Sequence, residues 1–388
     1  MRTFKGYVRP DGTVGIRNHV LVLPTSICAS DVTTAIAGAV AGCVTIHNQS
    51  GCSQVACDEA VTLRTLAGLA ANPNVYAVLT VSLGCEGCQC DKVVSAIRER
   101  TDKPVRSLVI QRQGGTIATI AEGARLALEL AREASTVERS EVPVSELVFG
   151  TECGGSDPSS GLGANPLIGE VSDWLVENGA TSVLSETPEL FGAEDILARR
   201  SKDETVRRRL LDAVYGYEEY VHKFGAEMRE GNPSPGNIAG GLTTLEEKSL
   251  GCVHKGGHGT LNAVYDFAEP LGAHEGLVLM DTPGNDSASM AGMIAGGCQL
   301  VAFSTGLGTP TGNPVAPVYR LTANRRTYEA MCDNTDLDAS PTIYGPQTMR
   351  EMRDRMIDDL LAVCSGQLVR AEALGFVETA MPHVCNYM

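Results

Sequence analysis

The sequence has no apolar run near the length of about 18 residues that a membrane span needs. Aromatic residues are scarce, at 5%, and basic residues are outnumbered, with 31 Lys and Arg against 47 Asp and Glu. The resulting net charge of −16 repels nucleic acid and anionic lipid at long range, which argues against both as partners. The first residues lack the apolar segment of a secretory signal, so we expect a cytoplasmic protein.

Several ligand-binding motifs are also missing. The glycine-rich stretches Gly154-Gly155 and Gly306-Leu307-Gly308 match neither the dinucleotide fingerprint nor the phosphate-binding P-loop. A structural zinc knuckle is not expected, because the Cys-x-x-Cys at residues 85–88 has no second pair near it. The 13 cysteines are an odd number in a chain large enough to fold without disulfides, which indicates reduced thiols. Each is either a metal ligand or a small buried apolar side chain.

The sequence does contain 43% apolar and 20% charged residues, a composition typical of globular proteins. Short runs rich in Val, Leu and Ile are typical of strands that are covered on both faces of a parallel sheet. We predict strands at residues 19–23, 43–46, 75–81, 105–110, 146–149, 181–184, 277–280 and 299–303. Helical patterns separate these strands, so the predicted fold is α/β, with two domains that have largely parallel sheets.

A charged stretch that ends in Val142-Pro143 marks the predicted domain boundary. It separates an N-terminal α/β domain, residues 1–140, from a C-terminal α/β domain, residues 141–388. Residues 230–241 are rich in glycine and proline, which predicts an ordered loop without regular structure.

Small polar residues follow six of the predicted strands, and parallel sheets bind ligands beyond the carboxyl ends of their strands. Glycine lets backbone N–H groups approach a ligand, and a helix N-terminus favours an anion. We therefore predict a concave polar site for a small anion such as a carboxylate. The residues assigned to substrate binding are Gly154, Gly155, Ser156, Asp157, Asn165, Thr305 and Thr309.

Cysteine, histidine and glutamate side chains occur in the same turns. A mixed set of nitrogen, oxygen and sulfur ligands suits ferrous iron, manganese or zinc. Three convergent cysteines are instead able to hold an iron–sulfur cluster. The predicted metal ligands are His47, Cys52, Cys85, Glu86 and Cys153.

Residues 240–257 form the most polar motif of the chain. Thr243 or Thr244 followed by Glu246 or Glu247 has the spacing of a capping box, which by itself indicates only the start of a helix. The functional interpretation is that Lys248 and Lys255 supply positive charge to an anionic substrate, or that one of them acts as a base.

Motifs along nearly the whole chain resemble the altronate/galactarate dehydratase family. The matching residues are Gly6-Tyr7-x-Arg9-x-Asp11-Gly12-x-Val14-Gly15-x-Arg17-Asn18, His47-x-x-x-Gly51-Cys52, Leu83-Gly84-Cys85-Glu86, Glu152-Cys153-Gly154-Gly155-Ser156-Asp157-x-x-Ser160-Gly161, Ala164-Asn165-Pro166, Ser185-Glu186-Thr187, Pro233-x-Pro235-Gly236-Asn237, residues 242–252, Asp281-x-Pro283-Gly284 and Gly306-x-Gly308-Thr309-Pro310.

The resemblance implies a dimerisation domain, a Rossmann-like parallel sheet and dependence on a divalent ion, Fe²⁺ or otherwise Mn²⁺. It also implies β-elimination from a small 2-hydroxy acid, which yields a 2-keto acid. Altronate and galactarate dehydratases and the large subunit of sulfolactate sulfo-lyase belong to this family, so water or sulfite is the leaving group. On this basis Lys248 and Lys255 neutralise the substrate or act as base, and Glu152, Glu186 and Asp281 are acid–base or supporting groups.

Two features differ from the family pattern. Members often carry a small β-rich domain ahead of this region, so a separate small subunit is an expected partner, beside a homo-oligomer. Position 307 is leucine where the family more usually has arginine. Residues 309–314 and 333–338 look nearer to the sulfo-lyase subunit.

Two other functions stay open. A non-catalytic subunit would bind a carboxylate with the same turns. A hydrolase with Cys52 as nucleophile and His47 as base lacks an evident third group to orient the histidine.

Overall fold

The computed structural model describes residues 2–385. The N-terminal region contains β1 (Thr3–Val8), β2 (Val14–Gly15), β3 (His19–Pro24), α1 (Ser30–Ala39), β4 (Cys43–Thr45), α2 (Ala56–Ala71), β5 (Val75–Ser82), α3 (Cys90–Arg98), β6 (Val105–Val109), α4 (Ile110–Gln113), α5 (Thr116–Ala134) and β7 (Ser140–Pro143).

Four of these strands form a parallel sheet in the order β4-β3-β5-β6. Alternate residues of β3 and β5 enter different cores: Val20 and Leu79 pack with α1 and α5, whereas Leu21 and Val78 pack with α2 and α3. Because both faces are covered, the strands are apolar throughout. In the sheet, β4 lies on one side of β3 and β5 lies on the other side. The topological switch point is therefore between β3 and β5.

The C-terminal region contains β8 (Val148–Cys153), α6 (Asn165–Glu177), β9 (Thr181–Leu184), α7 (Glu194–Ala198), α8 (Glu204–His222), α9 (Met228–Gly231), α10 (Pro235–Ala239), α11 (Leu245–Val253), β10 (Leu261–Tyr265), β11 (Gly276–Met280), α12 (Asp286–Gly296), β12 (Leu300–Ser304), β13 (Val318–Thr322), α13 (Arg325–Ala330), β14 (Leu337–Asp338), α14 (Pro341–Tyr344), α15 (Met349–Cys364) and α16 (Arg370–Leu374).

Strands β8 to β14 form a second, seven-stranded parallel sheet in the order β10-β11-β9-β8-β12-β13-β14. Helices α6 and α15 cover one face, and α12 covers the other together with α2 of the N-terminal region. The sheet is doubly wound, with its switch point between β8 and β12. Its order differs from the Rossmann order 3-2-1-4-5-6, because β11 lies between β9 and β10.

A buried asparagine joins the two regions. The Asn74 side-chain oxygen accepts hydrogen bonds from the backbone N–H groups of Ile16 and Arg17 at 2.8 and 3.2 Å. Its amide nitrogen donates to the carbonyl oxygens of Gln299 and Val315 at 2.9 and 3.1 Å. Strand β1 also pairs antiparallel with β2 and β7, away from both large sheets. The N-terminal strand therefore lies at the junction of the regions.

The predicted α/β class with largely parallel sheets is confirmed. All eight predicted strands are present, although β8 continues to Cys153 rather than ending at residue 149. The prediction of an irregular loop at residues 230–241 is wrong, because Ser234 and Asn237 form a capping box that starts the short helix α10. Among the described residues, no helix combines the length and apolarity required to cross a membrane.

Close packing of α2 on α12 gives the first testable prediction. A Cβ atom at Gly68 would collide with the carbonyl oxygen of Ala295, so Gly68→Ala should lower the free energy of unfolding by about 1–3 kcal/mol. The matched control is Gly38→Ala in α1, where an added Cβ has open space and should stabilise by about 0.4–1 kcal/mol. Urea denaturation measures both, and equal effects of the two variants would contradict the packing argument.

Candidate active site

The candidate site lies at the carboxyl edge of the seven-stranded sheet, where the order β11-β9-β8 brings three turns together. Glu152 and Cys153 end β8, Glu186 follows β9, and Asp286 opens α12 after β11. Lys255 enters from the turn after α11, which packs on α6 because Gly169 leaves room for the carbonyl oxygen of His254. Four separate segments of the chain thus contribute to one buried polar cluster.

Lys255 is at the centre of this cluster, with 0% of its surface exposed. Its ammonium forms an ion pair with Glu186 Oε2 and donates to Cys153 Sγ at 3.1 Å. Burial alone would lower the pKa of Lys255, but the neighbouring Cys153, Cys252, Glu186 and Glu152 raise it well above its ordinary value. Lys255 is therefore a permanent cation, fixed by its surroundings.

Glu186 is held in an unusual conformation. Its backbone is left-handed, with φ of 65°, and its N–H donates to Thr282 Oγ1 at 2.7 Å. Its Oε2 accepts from the N–H of Cys153 at 3.0 Å, whereas Oε1 is buried without a hydrogen-bond partner among the described residues. Left-handed backbone at a residue other than glycine costs of order 1–3 kcal/mol and is concentrated at functional sites.

Among the described residues, Glu152, like Glu186, accepts hydrogen bonds at only one of its two carboxylate oxygens. Its Oε2 accepts from Ser289 Oγ at 2.6 Å and Ser185 Oγ at 3.2 Å. In the described part of the chain, its Oε1 has no partner although it is buried. Burial, followed by the charge of Glu186, raises the pKa of Glu152 well above its ordinary value.

A second ion pair, between Lys248 and Glu189, lies at the wall of an open cavity. Lys248 Nζ lies 2.6 Å from Glu189 Oε1 and donates to Asn232 Oδ1 at 2.9 Å. Burial lowers the pKa of Lys248, but Glu189 more than compensates, so the pKa is raised and the lysine stays charged. The Lys248 side chain is 10% exposed, unlike that of Lys255, and lies in the wall of an open cavity of about 550 Å³.

This cavity is lined by groups from several turns, among them Cys153, Gly154, Gly155, Glu189, Lys248 and Asp286. Lys248 also lines a smaller cavity of about 280 Å³. A small carboxylic acid in the larger cavity would meet the Lys248 ammonium and the backbone of the two glycines. The predicted polar site for a small anion therefore has a cavity of suitable size.

Two sets of side chains in the described residues have ligand atoms within 4.8 Å of one another. One consists of Glu152, Glu186 and Asp286, and the other of Cys153, Glu186, Glu189 and Cys252. Burial, then Glu186 and Glu189, raise the pKa of Asp286 to about 7. Four carboxyl groups thus face only two lysines, and two buried carboxylate oxygens lack donors. This donor set fits a divalent cation with oxygen ligands.

Cys153 does not have the surroundings of a nucleophilic cysteine. A hydrogen bond with Cys252, burial and the charge of Glu186 raise its pKa well above the ordinary value. Nucleophilic cysteines require the opposite shift.

The predicted substrate-binding residues divide into two groups. Gly154 and Gly155 line the larger cavity, while Ser156, Asp157 and Asn165 line the smaller one. Asp157 and Asn165 are occupied with structural bonds, to Asn324 and Ser304 respectively. Thr305 is buried, and its hydroxyl accepts from the N–H groups of Gly308 and Thr309, which orders the loop that carries Thr309.

Of the predicted catalytic residues, Lys248, Lys255, Glu152 and Glu186 come together as described. Asp281 lies outside both donor sets, and its Oδ1 accepts from Thr187 Oγ1 at 2.6 Å. Glu189, Cys252 and Asp286 belong to the donor sets but were not among the site residues predicted from the sequence. A signal was present, since Glu189 and Asp286 belong to the same turns after β9 and β11 that carry Glu186 and Asp281.

The five predicted metal ligands do not form one donor set. Cys153 belongs to the seven-stranded sheet, whereas His47, Cys52, Cys85 and Glu86 follow strands of the four-stranded sheet. Neither donor set found in the described residues includes any of these four. Glu86 is already satisfied, with Oε1 accepting from Thr25 and Ser82 and Oε2 from the N–H of Gly84. The physical reason is that each sheet has a carboxyl edge of its own.

Two protein-family models together match almost the whole chain. The family model for D-galactarate/altronate dehydratase, C-terminal, covers residues 144–386, and that for D-galactarate dehydratase/altronate hydrolase, second domain, covers residues 6–135.

Individual curated proteins match over similar lengths. Altronate dehydratase of Bacillus subtilis is 36% identical over 98% of this chain and 77% of its own length. The beta subunit of (2R)-sulfolactate sulfo-lyase of Chromohalobacter salexigens is 40% identical over 97% of this chain and 96% of its own. Altronate dehydratase of Escherichia coli is 34% identical over 97% and 76%.

The buried ion pair gives the second prediction. Lys255→Met leaves the Glu186 carboxylate without its cation, so the free energy of unfolding should fall by about 3–5 kcal/mol in urea denaturation. Glu186→Gln should have a similar effect, and the double variant should recover part of the loss because both charges disappear together. The exposed Lys202→Met is the control, with a change below about 0.5 kcal/mol. Strictly additive losses would show that the two charges do not interact.

Proposed function

The chain belongs to the D-galactarate/altronate dehydratase family and is a lyase, and from this premise we propose that it catalyses β-elimination from a small 2-hydroxy acid. The product is an enol that tautomerises to a 2-keto acid, and the leaving group is water or sulfite. One observation carries the proposal: the carboxylates of Glu152, Glu186 and Asp286 face one another beside the buried Lys255, next to an open cavity that Lys248 lines.

The difficult step is removal of a proton from the carbon next to a carboxylate, because negative charge accumulates on the substrate. We propose that Glu152, Glu186 and Asp286 hold a divalent ion, Fe²⁺ or Mn²⁺. The oxygen donors suit Mn²⁺, and the thiols of Cys153 and Cys252 near by add softer donors that suit iron. Such an ion supplies Lewis-acid stabilisation of the developing charge, worth several kcal/mol.

The two lysines have different tasks in this proposal. Lys255 has no exposure and is ion-paired, so it compensates the buried negative charge and holds Glu186 in place. Lys248 is in the cavity wall and binds the substrate carboxylate. Neither is the base, because both have raised pKa values and hold their protons.

We assign proton transfer to Glu189. It lines the cavity beside Lys248, and burial and the charge of Glu186 raise its pKa. A carboxylate with a raised pKa is a better base at neutral pH than an ordinary one. Asp281 does not reach the donor sets, which favours a supporting role through Thr187.

The decisive experiment supplies three candidate substrates, namely altronate, galactarate and (2R)-sulfolactate, under anaerobic conditions with Fe²⁺ or Mn²⁺. Formation of a 2-keto acid is measured for each, and sulfite release is followed with a thiol reagent. The assay is run with and without a small β-rich subunit, which we propose as a partner beside a second copy of the chain. Glu189→Gln should lower kcat by about 10²–10⁴ if it transfers the proton. Absence of keto acid in every combination would refute the proposed reaction.

Metal binding gives a separate prediction. Asp286→Asn removes one of three proposed oxygen ligands, so the dissociation constant for Mn²⁺ should rise at least about tenfold in isothermal titration calorimetry. The matched control is Asp281→Asn, a neighbouring carboxylate outside the donor set, which should bind Mn²⁺ as the unmodified protein does. Equal affinity of both variants would place the ion elsewhere.

A further inference from the structure

Exposed cysteines are concentrated at one place that the proposed reaction does not use. Cysteine is among the most buried residue types in proteins. Here Cys28, Cys52, Cys57, Cys85 and Cys385 are exposed, and all five lie around the carboxyl edge of the four-stranded sheet. Cys385 reaches this edge because its backbone N–H donates to Asp58 at 3.1 Å. Such a concentration of accessible thiols points to a ligand.

Three of these cysteines stand on turns that follow three neighbouring strands. Cys28 is in the turn after β3, Cys52 in the loop after β4 and Cys85 in the loop after β5. The sheet order is β4-β3-β5, so these turns are adjacent, and the switch point between β3 and β5 opens a crevice there.

Specific contacts hold the three turns together. The N–H of Ile27 donates to the Ser50 carbonyl oxygen at 2.6 Å, which joins the first turn to the second. Thr25 Oγ1 donates to Glu86 Oε1 at 2.5 Å, which joins the first to the third. The second and third also meet, because a Cβ on Gly87 would lie 3.6 Å from the Gly51 carbonyl oxygen. Cys28, Cys52 and Cys85 are each within two residues of such a contact.

The spacing of the donors argues against a single metal ion held by three side chains at this edge. A single metal ion with bonds of about 2.3 Å to sulfur requires thiolates no more than about 4.6 Å apart. Among residues 2–385, no three metal-binding side chains at this edge lie within 4.8 Å of one another. A polynuclear centre separates its cysteine ligands more widely, and thiolates are the ligands that iron–sulfur clusters take.

We propose that Cys28, Cys52 and Cys85 bind an iron–sulfur cluster with three cysteine ligands. This site is separate from the carboxylate set of Glu152, Glu186 and Asp286 and does not depend on the proposed reaction. On ligation each thiol loses one proton and forms one bond from sulfur to iron. The oxidation state of the cysteine sulfur does not change, and sulfide, ferric iron and ferrous iron all come from solution.

The test is anaerobic reconstitution of the purified full chain with Fe³⁺, sulfide and a thiol reductant, which reduces part of the iron to Fe²⁺ as the thiol becomes a disulfide, followed by desalting. Iron and acid-labile sulfide per chain are measured, together with visible absorption and electron paramagnetic resonance after reduction. We expect the unmodified protein to retain a cluster, and Cys28→Ser, Cys52→Ser and Cys85→Ser each to lose most of its sulfide. Cys332→Ser is the matched control, because Cys332 is exposed but lies after α13 in the C-terminal region.

Circular dichroism and Mn²⁺ titration accompany each variant, so that loss of the cluster is separated from unfolding and from loss of the carboxylate site. Retention of sulfide by all three serine variants would overturn the proposal. So would an equal loss in Cys332→Ser, or an unmodified protein that carries no acid-labile sulfide after desalting. Failure of the elimination assay alone would leave the cluster result unaffected, since sulfide content is measured without substrate.

Discussion

The structure depends on the compensation of negative charge at the carboxyl edge of the seven-stranded sheet. Glu152, Glu186 and Glu189 are almost completely removed from solvent, and isolated carboxylates are not stable there. Lys255 makes the arrangement possible, since its ammonium contacts Glu186 and Cys153 from a turn fixed against α6. A neutral residue at that position would leave the end of β8 and the left-handed turn at Glu186 with an uncompensated buried charge.

The position of this edge depends in turn on how the two regions meet. Asn74 bonds to backbone atoms on both sides of the junction, and α2 packs against α12 where Gly68 allows close approach. Helix α12 begins with Asp286, and its residue Ser289 donates to Glu152. Packing between the regions therefore fixes helix α12. This helix supplies Asp286, one proposed metal ligand, and the Ser289 hydroxyl, which donates a hydrogen bond to Glu152, another proposed ligand.

Much of the fold could be predicted because strands that are buried on both faces are unbroken runs of apolar residues in the sequence. Among the strands that were not predicted, β10 contains Asn262 and β13 contains the buried Arg320, so neither is an unbroken apolar run. The rule that ligands bind beyond strand ends grouped Glu152 with Glu186, and the structure brings these two side chains together. The same rule does not say which strands share a sheet, so Cys153 was grouped with His47, Cys52 and Cys85. The rule also does not predict the direction of a side chain, and for this reason it could not tell that Asp286 belongs to a donor set and Asp281 does not.

Charge balance explains why the site suits an elimination that creates negative charge. Four carboxyl groups and two lysines carry a net charge of two negative units when the carboxyl groups are ionised. A divalent ion held as proposed brings this sum to zero, so a substrate carboxylate would enter a neutral site and not a negatively charged one. Lys248, the partly exposed lysine of the two, lines the cavity and can contact that carboxylate. A site in which both lysines were neutral bases would instead repel the substrate, so their raised pKa values favour binding and charge stabilisation over proton abstraction.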